Sequence, residues 1–356
     1  MGPWLVLCLT QAFAGTSSTS TASDSEARVA AEHPSRIRYE LGGQIFFRAR
    51  AQNTSDTWSA SYEITRARLS AKFRFDDLLA LVLEPEFAGF VCTASGSACD
   101  GVELSDIFLD LSPSKRLGLR LGQAKSPYGI VETTSEWRLP VLHRGLVSRL
   151  VTTRLGFGGR RLGIRARIRP DLALKPSAEL GVYNDPAVGD ALDGALRLGI
   201  KVSKGARLEW SGYARAHATV AEKYGFASAL GLAFDRSPVF AVVELGIVRA
   251  RRLTISGPSP DDTTAVSGRT LAAVAVPISQ QIELAPYVAL DVFDPSLSTR
   301  DDLGGSVRGG AGVFVAGSLR FSVEVERRGG QLAFVSPNET LLTFLAGGSL
   351  EQGELE

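Results

Sequence analysis

Between Arg138 and Arg169 the chain carries nine arginines and no carboxylate. No opposite charge in the run cancels this positive charge locally. Guanidinium groups bind phosphate and carboxylate through forked hydrogen bonds. Facing water in a pore, such a cluster concentrates anions and repels cations. The run begins in a long connection, Lys125 to Leu155, which holds Lys125, Arg138, Arg144, Arg149 and Arg154. It ends in a segment where Arg161, Arg165, Arg167 and Arg169 oppose Leu162, Ile164, Ala166 and Ile168. That alternation demands an apolar neighbour and argues against nucleic acid as the partner.

Other chemistry has little to stand on. His33, His143 and His217 show no metal-ligand spacing. No serine sits in a nucleophile elbow, and no glycine-rich phosphate loop opens a helix. The residues imply neither a catalyst nor a cofactor nor a metal.

The elements that would position the arginines read as strands. About sixteen segments of alternating apolar and polar residues fill 37–346, each near the span a tilted transmembrane strand needs. Very short turns, such as Asp76-Asp77 and Gly317-Ser318, alternate with longer polar connections, such as 91–101, 252–267 and 293–306. Hairpins short at one end and long at the other describe an all-β fold: a single transmembrane antiparallel up-and-down barrel with short periplasmic turns. Arg66, Arg68, Lys72 and Arg74 share one strand face, opposite Ala67, Leu69, Ala71 and Phe73. Outward arginines would each cost about 2–4 kcal/mol at the bilayer midplane, so the register must turn them inward. Arg120 joins them, and Glu84, Glu86, Asp106 and Asp110 are expected to face the same lumen. Aromatic residues near segment ends (Tyr39, Trp58, Tyr62, Phe75, Tyr183 and Phe293 among them) suit the two membrane interfaces. A soluble β-sandwich would share the alternation but not the rhythm of short and long connections.

Net charge is +1 and mean hydropathy +0.07, which gives no overall electrostatic preference for a partner. No apolar run is long enough for a membrane helix. Residues 1–14 read as a secretory signal ending in Ala12-Phe13-Ala14, and 15–36 as a disordered linker. The barrel then covers 37–346, followed by a tail at 347–356. Cys92 and Cys99, an even pair in an exported connection, read as a disulfide.

Several stretches, in order, resemble the phosphate-selective porin O/P family. Gly122-Gln123-Ala124-Lys125-Ser126-Pro127-Tyr128-Gly129 is similar to its segment entering the third loop. Arg66-Ala67-Arg68-Leu69, Asp106-Ile107-Phe108-Leu109-Asp110, Arg154-Leu155-Gly156 and Gly181-Val182-Tyr183-Asn184 look like its other signatures. The resemblance spans roughly 60–200. It implies a sixteen-stranded, trimeric outer-membrane channel, embedded in lipid, whose third loop folds inward. It also implies that Lys125, Arg138, Arg144, Arg149 and Arg154 line the constriction. His143-Arg144 stands where the family often has Glu-Arg.

The expected function is passive diffusion of small anions, phosphate or similar, through an arginine-lined constriction. A weakly selective general porin would instead set the arginines against carboxylates across the lumen. A plugged structural barrel would conduct nothing, and a barrel enzyme would need a catalytic set that the chain lacks.

Overall fold

Strict alternation forces each of these segments to present one face to hydrocarbon and the other inward, and the pairing follows from it. The computed structural model describes residues 37–54, 57–88, 102–184, 191–217, 224–251, 262–297, 302–330 and 339–351. Signal, linker and both cysteines, Cys92 and Cys99, lie outside the described residues. Strands β1 (Ile37–Thr54), β2 (Thr57–Phe75), β3 (Leu79–Glu86), β4 (Glu103–Ser114) and β5 (Leu117–Lys125) precede the long third loop. After it come β6 (Arg160–Ile168), β7 (Ser177–Asn184), β8 (Ala191–Lys201), β9 (Ala206–His217), β10 (Tyr224–Arg236) and β11 (Val239–Arg251). The wall is completed by β12 (Asp262–Val274), β13 (Val276–Pro277), β14 (Ile282–Asp294), β15 (Gly304–Val315), β16 (Leu319–Gly330) and β17 (Glu339–Glu351). Each strand pairs antiparallel with the next in sequence, except that β12 and β13 both pair with β14, and β17 pairs with β1, closing one barrel. β13 continues β12 past Ala275 against the same partner, β14, so the barrel has sixteen staves.

The faces are as the alternation requires. Leu162, Ile164, Ile168, Leu180 and Val182 point outward and are exposed. Arg215, Arg269, Arg308, Arg320 and Arg328 point inward and are buried. An Ile164→Arg substitution at the middle of β6 should therefore lower stability by about 2–4 kcal/mol in a urea titration in lipid vesicles. Arg165→Leu, on the inner face, should cost clearly less; equal costs would reverse the assignment of faces.

Three boundaries differ from the sequence reading by five residues or more. β7 starts at Ser177, where the alternation suggests a start at 172, because Pro170 and Pro176 supply no N–H and Lys175 sits at φ 42° in a turn closed by its N–H to Leu172 O (2.8 Å). β12 starts at Asp262 rather than 268, since Thr263-Thr264-Ala265-Val266 pairs fully with β11. β17 runs to Glu351, so residues 347–351 of the expected tail at 347–356 are strand. Gly347 and Gly348 hide it in sequence because glycine is depleted in strands. Here the glycine is required, for a Cβ on Gly347 would lie 2.0 Å from the Phe46 ring. Two expected interface aromatics also turn inward: Tyr183 lies over Gly163 and Gly181, and Phe293 is fully buried.

The third loop, 126–159, lies inside the barrel and is apolar where it meets the wall. Ile130, Val131, Leu139 and Val141 pack on Ala233, Val242, Leu271, Ala273 and Ala289. Leu146, Val147, Leu150, Val151 and Phe157 pack on Ala227, Ala229, Val248, Ala265 and Phe293. Small inward side chains on β10–β14 leave the room, and each buried leucine contributes roughly 1.5–3 kcal/mol. The loop thus fills the lumen along β9–β15 and leaves open space along β17 and β1–β6.

Candidate functional site: a channel between the third loop and the β1–β6 wall

Two spaces sharing Lys125, Glu136 and Arg160 lie between the loop and the open wall. The first, about 450 Å³, is lined by Arg48, Arg50, Lys125, Glu132, Glu136, His143, Arg144, Arg149 and Arg160. Ser126, Ser148, Thr152 and Thr153 add hydroxyl groups to its lining. The second, about 340 Å³, is lined by Arg66, Arg68, Glu84, Asp106, Lys125, Glu136 and Arg160, with Ser70, Thr133 and Ser135. Together they present eight cationic side chains and four carboxylates, with Glu63 and Glu86 just outside the lining beside Arg48, Arg66 and Arg68.

Local structure explains how each group arrives. Arg48 and Arg50 alternate with Phe47 and Ala49 on β1. An irregularity between Phe46 and Phe47 in the pairing with β2 skips Thr65 and keeps Arg66 and Glu63 both inward. A short helix, α1 (Ile130–Thr133), and another, α2 (Gly145–Ser148), run along the loop. α2 passes directly into a π-helical turn over Arg149–Arg154, whose wider winding presents Arg149, Thr152 and Thr153 to the larger space.

Most of these cations have a carboxylate beside them. Arg66 meets Glu136 (2.5 Å) and Glu86 (3.7 Å). Arg68 meets Glu86 (3.0 Å) and Glu84 (3.3 Å), and Arg160 meets Asp106 (2.9 Å). Arg48 pairs with Glu63, and Arg144 pairs with Glu136 while donating to Thr134 O (2.9 Å) and Val131 O (3.1 Å). Glu136 thus supplies Arg144 with a carboxylate although His143 precedes it in sequence. Three cations differ: Arg50, Lys125 and Arg149 have no carboxylate within 4.0 Å among the described residues. Lys125 Nζ donates to the Glu132 carbonyl at 3.2 Å.

The other sequence candidates lie elsewhere. Lys72 (3.2 Å) and Arg74 (2.7 Å) share Glu40, and Arg120 pairs with Asp110 (2.6 Å) over the Phe108 ring. Arg165 is 3.5 Å from Glu179, and Arg167 lies on the same inner face. Arg161 holds the loop exit, donating to Gly156 O at 3.0 Å beside Asp193 (3.6 Å). Arg138 is exposed and lines neither space, and the Arg154 side chain lies outside the described residues. Sequence reasoning passed over Arg48, Arg50, Arg160 and Glu136. The Phe47-Arg48-Ala49-Arg50-Ala51 alternation on β1 was the available signal for the first two.

Not every inward charge belongs to the channel. Arg215 donates to Gly156 O (2.7 Å), Arg308 to His143 O (2.7 Å), and Arg269 to Ser148 Oγ (3.0 Å). Asp291 accepts from Leu146 N (2.7 Å), and Glu244 accepts from Ile130 N (2.5 Å). These groups hold the loop. His143 Nε2 lies 3.2 Å from Glu326 and 3.4 Å from Glu324, a trio that could invite a metal ion. Its Nδ1, however, faces the Arg308 donor at 3.3 Å. A metal on Nε2 would need a proton on Nδ1, directed at that guanidinium rather than at an acceptor, so the donor set fits an N–H to carboxylate bond better.

Burial alone would raise the Glu136 carboxyl, but Arg144, Arg66, Lys125 and Arg68 outweigh it and hold the group down at about 2. A depressed carboxyl lends its anchoring fully above the ordinary value near 4.3 and loses it as pH falls through about 2. Conductance titrations of wild type and Glu136→Gln should therefore run parallel with a constant offset above about pH 4 and converge below it, as the wild-type carboxylate is protonated. An offset that changes near neutral pH would contradict the arginine clasp.

Residues 37–175 match the family model described as Phosphate-selective porin O and P. No curated protein matches by sequence. Among solved structures, the barrel resembles an anion-selective porin from Comamonas acidovorans, at 13% identity and TM-score 0.63, over 88% of this chain and 100% of that one. It also resembles OmpF of Salmonella typhi (12%, TM-score 0.66, 88% and 97% covered) and a trimer form of OmpT from Vibrio cholerae (11%, 0.61, 88% and 99%). At such identities these likenesses speak for the fold alone. The match over 37–175 makes that part of the chain similar to the family, and the closed sixteen-stave barrel is the fold of the outer-membrane porins it resembles.

Proposed function

We propose that this porin passes small anions, phosphate or a similar ion among them, by passive diffusion between the third loop and the β1–β6 wall. The observation that carries this reading is the excess of cations over carboxylates around the two connected spaces, with Arg50, Lys125 and Arg149 left without a carboxylate among the described residues. Paired arginines such as Arg68 and Arg160 contribute little net field, whereas Arg50 and Arg149, with no carboxylate beside them among the described residues, attract anions and repel cations. Neighbouring serine and threonine hydroxyls can donate to an anion stripped of part of its water. The trimer form of OmpT supports reading this protein as a homotrimer too.

Liposome swelling tests the reading. Vesicles carrying the porin should take up gluconate faster than arabinose, and arabinose faster than glucosamine. Faster entry of glucosamine than of gluconate would overturn it.

A further inference from the structure

Arg320, on β16, is 2% exposed and has no carboxylate within 4.0 Å among the described residues. A buried guanidinium without a counter-ion is costly unless its donors are met. Here all five are used. Nε donates to Ser322 Oγ (3.0 Å), Nη1 to the carbonyls of Glu136 (3.2 Å) and Leu139 (2.9 Å), and Nη2 to those of Pro140 (2.7 Å) and Val141 (3.1 Å). Four carbonyl acceptors within the six-residue stretch 136–141 make a backbone clamp that lysine, with three donors on a single nitrogen, cannot copy. Trp137 sits within the clamped stretch, stacked on Phe46 (5.9 Å) and edge-on to Phe314 (6.3 Å), so the segment is fixed on both sides.

The clamp acts at Glu136. Its carbonyl is held by β16, while its carboxylate reaches Arg66 on β2 and Arg144 on the loop. We propose that Arg320 is a positioning residue for ion selectivity: by fixing the Glu136 backbone it keeps that carboxylate in the channel, where it neutralises Arg66 and Arg144. Arg320 itself lines neither space. Its influence on permeating ions runs through one other side chain, which makes it separable from a purely structural role. The inference rests on the channel reading above for its path, but not for the sign of the selectivity.

The test is a double-mutant cycle read as reversal potentials in planar bilayers. Arg320→Met, apolar and of similar length, should raise the anion-to-cation permeability ratio about threefold, as expected for uncovering one charge near a passing ion. Glu136→Gln should raise it by a similar factor, and Arg320→Met should add little in the Glu136→Gln background. Arg320→Lys should fall between wild type and Arg320→Met, and it serves as the reading if the methionine variant does not give a heat-modifiable barrel. No shift in Arg320→Met or Arg320→Lys, or the same shift with and without Glu136, would overturn the proposal. A cation-preferring wild type would reject the anion reading while leaving the coupling between Arg320 and Glu136 fully measurable.

Discussion

Replacing Arg50 and Arg149 together by glutamine is expected to lower the anion-to-cation permeability ratio about tenfold. At about 0.1 M salt a unit charge about 6 Å from a passing ion in water-like surroundings changes its energy by about 0.4 kcal/mol, with opposite sign for anions and cations, a factor of about three in the ratio for each charge. Both residues line the larger space, and among the described residues neither has a carboxylate within 4.0 Å that its removal would uncover. Arg68→Gln makes the control. That arginine lies between Glu84 and Glu86, and removing it exposes negative charge as well as deleting positive charge. Its effect should combine a loss of anion preference with a visible gain for cations. Recordings at about 0.1 M salt keep the screening length near 10 Å, so the charges remain felt. An unchanged ratio in the double variant would remove these two arginines from the pathway.

Gly347→Leu should prevent closure of the barrel. The added Cβ would fall 2.0 Å from Phe46 Cδ1 and 2.9 Å from the Ile45 carbonyl. Phe46 cannot swing away without breaking its stack on Trp137, which the loop holds in place. Relief would require separating β17 from β1 along the seam that makes the sheet continuous. Overpacking ordinarily costs about 1–3 kcal/mol, and here the strain falls on the pairing that completes assembly. The expected result is a sharp fall in the heat-modifiable, folded fraction on refolding into detergent. A normally folded Gly347→Leu protein would show that the seam does not depend on the Phe46 contact.

The sequence carried the wall well, because alternation is a property of each strand alone. Arg66 to Phe75 and Arg161 to Ile168 announce their faces without help from any other part of the chain. The same rule could not tell two kinds of inward arginine apart. Arg66 and Arg68 face the channel, whereas Arg269, Arg308 and Arg320 clamp the third loop, and all alternate with apolar neighbours in the same way. What separates them is where Ile130, Leu139, Leu146 and Leu150 come to rest, and that depends on the small side chains of strands β10 to β14 far along the chain. For the same reason the sequence could not show that the loop leaves open space on only one side of the lumen. Glu136 escaped notice because its importance lies in reaching Arg66, seventy residues away in sequence. The end of β17 was missed because its glycines answer to Phe46 on another strand rather than to any preference of their own.

The most direct test of the account is the reversal potential of the purified wild-type porin across a planar bilayer under a tenfold KCl gradient. The account predicts a chloride-to-potassium permeability ratio above one, falling when phosphate is added if the two anions share the path. A ratio below one in channels that are otherwise open and stable would contradict it.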